Sequence, residues 1–128
     1  MKYTQKSKDE ITNGQTTLGI EFGSTSIKAV LIGSDHQPLA SGSHDWENRH
    51  ENGVWTYSLD DVRMGLQKCY QNLCQNVTDK YEVQICSISA IGVSGMMHGY
   101  LAYDKSDELL VPFRKCRNTI TADAEEKL

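Results

Sequence analysis

No stretch of this sequence approaches the ~18 consecutive apolar residues that a membrane-spanning helix needs, so no membrane partner is expected. The N-terminus, MKYTQKSKDEITNGQ, carries lysines but no apolar core, and does not read as a secretory signal. Residues 1–15 are expected to form a polar, disordered leader. Metal-binding cysteine spacing is missing as well: Cys69, Cys74, Cys86 and Cys116 make no C-x-x-C pair. Three of them lie in apolar-rich segments, where a free thiol behaves as a small hydrophobe, and the set reads as reduced cysteines of a cytoplasmic protein. Excess positive charge is absent too. Thirteen Lys and Arg stand against 17 Asp and Glu, giving a net charge of −4, which excludes the basic stripe of a nucleic-acid binder. The one basic cluster, Arg114, Lys115 and Arg117, is sized for a single phosphate. There are no repeats and no low-complexity tracts.

What is present is enough for one modest core: 128 residues, 38% of them hydrophobic. Residues 17–22 alternate, with Leu18, Ile20 and Phe22 on one side and Gly19 and Glu21 on the other, which predicts a strand. Residues 27–32 (IKAVLI) are almost wholly apolar and predict a strand buried on both faces. After a turn cluster at 34–38, residues 39–46 form a weaker third strand, so the three make an antiparallel meander. Residues 47–53 read as a polar loop. Ser58 is a candidate N-cap with Asp61 at the capping-box position. Leu59, Val62, Leu66, Cys69, Tyr70, Leu73 and Val77 then mark the apolar stripe of a helix. Gly65 inside that helix costs about 1 kcal/mol against alanine, which predicts close packing there. Residues 85–93 read as another buried strand, 99–103 and 109–113 as short extended pieces, and 119–128 as the start of a helix.

One turn stands out. Between the first two strands lies Gly23-Ser24-Thr25-Ser26, with Glu21 just before it and Lys28 just after. The G-x-x-x-x-G-K-[ST] spacing of a helix-based phosphate loop is absent. A strand–turn–strand phosphate site works differently, presenting backbone N–H groups and hydroxyls at a hairpin tip, and glycine lets the backbone approach phosphate oxygens closely. Glu21 is placed to hold Mg²⁺ directly or through water. Read alone, a merely polar hairpin is as good an account. A second cluster follows the fourth long strand: Gly92-Val-Ser-Gly-Met-Met-His-Gly-Tyr100. Met97 offers an apolar face and His98 a donor and acceptor, a pairing suited to a polyol. His44, Asp45, Glu47 and His50 can be drawn as a metal cluster, but their spacing reads as a solvated strand edge and loop. Trp46 and Trp55 read as packing beside the helix sooner than as sugar-stacking rings.

With these pieces assembled, the chain resembles the N-terminal part of the FGGY family of carbohydrate kinases, xylulose and ribulose kinases in particular. The pieces that carry the resemblance are GIEFGSTSIKAVLI, WTYSLDDV, IGVSGMMHGYLAYD and, more weakly, VPFRKCRNT; together they run from residue 17 to residue 128. The resemblance implies an α/β, actin-like ATPase or ribonuclease H-like fold, here a partial first lobe with a mixed sheet over residues 16–128. It implies ATP and Mg²⁺ as cofactors and a small sugar, a pentulose, as substrate. Gly23, Ser24, Thr25 and Ser26 match the phosphate-facing turn, with Glu21 in the place of the metal-holding acid; Lys28, two residues into the second strand, either approaches the phosphates or simply faces solvent. Met97 and His98 match the substrate-contacting pair, and Arg117 and Asn118 lie near further sugar contacts.

Many members carry aspartate where this chain has Glu21, and Cys116 falls near positions often held by tryptophan or aspartate. The family's catalytic aspartate lies beyond Leu128, so the 128-residue chain alone is expected to be inactive. Two other readings remain open from the sequence. One is a different actin-like ATPase, which would leave Met97 and His98 without a reason. The other is a truncated, non-catalytic binding product, which would expose apolar surface and form a homodimer.

Overall fold

The computed structural model describes residues 4–46, 49–51, 54–56, 58–96 and 100–111. The chain opens with helix α1 (Gln5–Thr12), then runs through three strands, β1 (Thr17–Phe22), β2 (Ser26–Ile32) and β3 (Pro38–Asp45). These form the antiparallel meander that their alternation predicts, with Leu18 opposite Leu31 and Leu31 opposite Ala40. A small hairpin comes next, β4 (Arg49–Glu51) against β5 (Val54–Thr56). Helix α2 (Leu59–Tyr81) then leads to β6 (Ala90–Gly95), which lies parallel to β1. The resulting mixed sheet has the order β3-β2-β1-β6. Among the described residues no helix is long and apolar enough to cross a membrane.

Helix α2 begins where its cap lies: Ser58 Oγ accepts the Asp61 N–H at 3.3 Å. It stops at Glu82, which takes a left-handed conformation with φ 57 and donates its N–H to Thr78 C=O. Its buried positions, Gly65, Cys69, Leu73, Val77 and Tyr81, repeat at four-residue spacing. This stripe covers Ile27, Ala29 and Leu31 of β2 and Ala40 of β3, all buried. Gly65 packs as closely as its presence implies, because a Cβ there would fall 2.9 Å from Ile27 Cδ1. Polar side chains of α2 also tie down β3, the outer strand of the meander. Asn72 Nδ2 donates to Ser43 C=O at 2.8 Å, Asn76 Oδ1 accepts the Ser41 N–H at 3.0 Å, and the Tyr81 hydroxyl donates to Leu39 C=O at 2.7 Å. These bonds satisfy edge groups that would otherwise stay open for pairing.

Four sequence expectations change. The leader is not disordered over its described part: Thr4 caps α1, and Ile11 is wholly buried in the core. A single well-placed isoleucine anchors a segment whose composition reads as solvated. The polar loop at 47–53 contains β4 and half of a hairpin, because Arg49, His50 and Glu51 find backbone partners in β5. Strand β2 is buried on one face only; Lys28 is exposed, and Val30 and Ile32 are half-buried. The strand expected over 85–93 starts at Ala90, and every one of its residues is exposed. It pairs with β1 but lies beyond the reach of α2. The described parts of the two later extended pieces yield one isolated bridge, Tyr103 with Leu109. The helix expected over 119–128 lies outside the described residues.

Candidate phosphate site at the β1–β2 turn

The alternation that buries Leu18, Ile27 and Leu31 under α2 turns the intervening residues to the opposite face. There Glu21 is the cross-strand partner of Lys28 on β2 and of Ser94 on β6, and Lys28 is the partner of Ser43 on β3. Glu21 and Lys28 are both exposed. They help line a broad, open depression of about 1180 Å³, together with Gly19, Val30, Ser43 and Ser94.

At the end of this row the chain turns. The Gly23 N–H donates to Ser26 C=O at 2.9 Å, leaving Ser24 and Thr25 exposed at the tip. Gly23 keeps an ordinary φ; Gly14 is the described glycine with a positive one. The smallness of Gly23 matters for another reason, since a Cβ there would stand 2.9 Å from Ser26 O. The same position lies 3.9 Å from Glu21 Oε1, so the carboxylate reaches toward the turn. The Gly23 N–H is thus engaged within the turn, and Ser24 and Thr25 are the exposed hydroxyl residues at its tip.

The turn is braced by a residue that sequence reasoning assigned to packing sooner than to sugar stacking. Trp46 Nε1 donates to Gly23 C=O at 3.1 Å, and the Trp46 N–H donates to Thr25 C=O at 3.2 Å. Its ring lies 6.2 Å from that of Phe22, centroid to centroid, and its other side faces Gly65. The packing reading holds, and the two hydrogen bonds add a positioning role. The signal was in the register: Ser26 pairs with Asp45, which puts residue 46 beside the tip.

Parallel pairing brings a second segment to this end of the sheet. Phe22 is the partner of Gly95, so β6 ends beside the turn, at the carboxyl ends of parallel strands where open α/β sheets form their ligand crevice. Met96, the next residue, packs against the core. Met97 and His98 come immediately after it in sequence and lie outside the described residues, as do Arg117 and Asn118. Among the described residues no three His, Cys, Asp or Glu side chains are grouped to hold a metal ion. Glu21 alone fits a Mg²⁺ that takes its other oxygens from phosphate and water. Burial pushes the Cys69 thiol up, and burial followed by contact with Cys74 pushes the Tyr70 hydroxyl up.

The sequence profile of the FGGY family of carbohydrate kinases, N-terminal domain, matches residues 16–128. The chain belongs to this family. Solved structures repeat its fold. The ADP complex of Plasmodium falciparum glycerol kinase superposes with a TM-score of 0.71 at 15% identity, over 88% of this chain and 22% of that one. The xylulose kinase from Bifidobacterium adolescentis gives 0.68 at 13%, over 91% and 20%. The ligand-bound xylulose kinase from Lactobacillus acidophilus gives 0.65 at 23%, over 88% and 22%. Comparison with curated protein sequences gives no significant match. The FGGY chain described here therefore has the actin-like ATPase fold, as part of the N-terminal lobe, and spans less than a quarter of each of these three kinases.

Proposed function

We propose that residues 16–128 are the N-terminal part of the first lobe of an ATP-dependent carbohydrate kinase, which transfers the γ-phosphate of ATP to a hydroxyl of a pentulose such as xylulose or ribulose. The observation that carries this reading is the meeting of two segments at one sheet end. The hydroxyl-rich turn Gly23–Ser26 stands beside the end of β6, and β6 leads directly into Met97 and His98.

In this reading Ser24, Thr25 and Ser26 face the phosphates, Gly23 gives the turn its tightness, and Lys28 adds positive charge on the open face. Glu21 holds Mg²⁺, which when bound offsets phosphate charge. Trp46 keeps the tip from splaying. Met97, His98, Arg117 and Asn118 contact the sugar. The choice of a pentulose rests on the resemblance of the segment around Met97 and His98 to xylulose and ribulose kinases; xylulose kinases stand among the similar structures beside glycerol and gluconate kinases, and the setting is cytoplasmic. On this reading the 128-residue polypeptide by itself does not turn over.

The test is γ-phosphate transfer by the complete protein that carries this segment, whatever its length, against xylulose, ribulose, gluconate and glycerol. Pentulose-dependent ADP formation is expected. Replacing both Thr25 and Ser26 by alanine should raise the KM for ATP about tenfold or more and leave the KM for sugar nearly unchanged. ATP hydrolysis that ignores every sugar would overturn the kinase reading, and preference for glycerol or gluconate would overturn its pentulose part.

A further inference from the structure

Residues 4–15 precede the stretch matched by the family, yet α1 is built into the domain. Ile11 is wholly buried among core residues, and the neighbouring Glu10 is buried as well. Glu10 Oε1 accepts a hydrogen bond from Ser34 Oγ in the β2–β3 turn. Its other oxygen lies against that turn's backbone, since a Cβ on Gly33 would come 2.5 Å from Glu10 Oε2. The end of α1 is fastened too. The Gln15 N–H donates to Glu10 C=O at 2.8 Å, and Ser89 Oγ donates to Gly14 C=O, with Gly14 at φ 70.

We propose that Glu10 and Ser34 form a charge-sensitive latch, through which α1 and the β2–β3 turn are held together and open as one unit. A buried carboxylate that accepts a hydroxyl is stabilised by that bond, and it is strongly opposed by a second negative charge placed in the same position. Charged groups near Glu10 include Lys6, whose Nζ is 4.0 Å from Oε1, and Asp35. The Asp35 carboxylate accepts the Gln37 N–H at 3.2 Å and stands on the same side of Gly33 as Glu10. Among the described residues, one lysine against two carboxylates leaves the latch with no spare cation for a third. Ser34 itself is exposed, so a change there reaches the latch without entering the core. The turn is also the far end of β2, whose near end begins at Ser26, so the latch fixes the strand that carries half of the candidate phosphate site.

Amide hydrogen exchange on the whole chain tests this. Ser34→Asp should speed exchange in α1 and in residues 33–37 together, by about tenfold or more, with α2 unchanged as the internal control. Ser34→Ala should speed both by less. Adding Glu10→Gln to Ser34→Asp removes the repulsion and leaves a side-chain amide able to donate, and should bring both segments back close to the parent rates. Three results would overturn the latch: exchange unaltered by Ser34→Asp, acceleration in only one segment or across α2 as well, or a double variant as open as Ser34→Asp alone.

Discussion

A Cβ built on Gly42 would stand 2.5 Å from the Cys69 carbonyl oxygen, with the Leu73 backbone pressed as close, whereas one on Gly92 meets nothing within 4 Å. Gly23 lies between, facing the single oxygen of Ser26. Backbone atoms of a packed helix cannot step aside as a flexible side chain can. Alanine at Gly42 should therefore cost about 2–3 kcal/mol, alanine at Gly23 about 1 kcal/mol, and alanine at Gly92 close to nothing. Urea denaturation of the three variants should return that order. Cys69 is a further test at this scale. Its buried thiol titrates above the ordinary value of 9.0, so the unfolded chain releases this proton first as pH rises. Stability contributed by the neutral thiol is full below pH 9.0 and falls above it. Mass-spectrometric mapping after alkylation at neutral pH should find exposed Cys86 modified early and Cys69 spared.

Helix α2 holds the meander together, and its two ends offer opposite predictions. Ser58→Ala removes the acceptor of the Asp61 N–H and should cost about 1 kcal/mol. Glu82→Gly relieves a side chain held in left-handed conformation and should gain about 0.5–1 kcal/mol. Thermal denaturation of the two variants should move in opposite directions. The Ser58 cap was legible in sequence because serine precedes a clear helical period. The Glu82 stop was not, because glutamate carries no C-cap signal and the left-handed turn is imposed by the route of residues 83–89. That segment runs to the base of the sheet, where the Ser89 N–H donates to Thr16 C=O.

Across the whole molecule, the sheet is covered unevenly. Ile91 and Val93 on β6 share the face on which α2 packs, yet are 60% and 65% exposed. Tyr100, Tyr103 and Leu110 are exposed as well. An uncovered apolar strand invites association, and we expect the 128-residue polypeptide, by itself, to self-associate. Sedimentation should show concentration-dependent dimers or larger species, shifted toward monomer by Ile91→Thr with Val93→Thr. A monodisperse monomer at every concentration would contradict this.

The sequence by itself determined the meander, the helix and the phosphate-like turn. Alternation of two, the period of α2 and the Gly-Ser-Thr-Ser stretch are local patterns, and each is set by residues a few positions apart. Only the tertiary structure decided how Trp46 is used, where α1 docks, and that β6 runs parallel beside the turn. These depend on pairs such as Trp46 with Gly23, Glu10 with Ser34 and Phe22 with Gly95, which lie too far apart in sequence for any local pattern to register. The expected disordered leader failed for the same reason. Ile11 becomes an anchor only against a core built from strands and a helix that lie later in the chain.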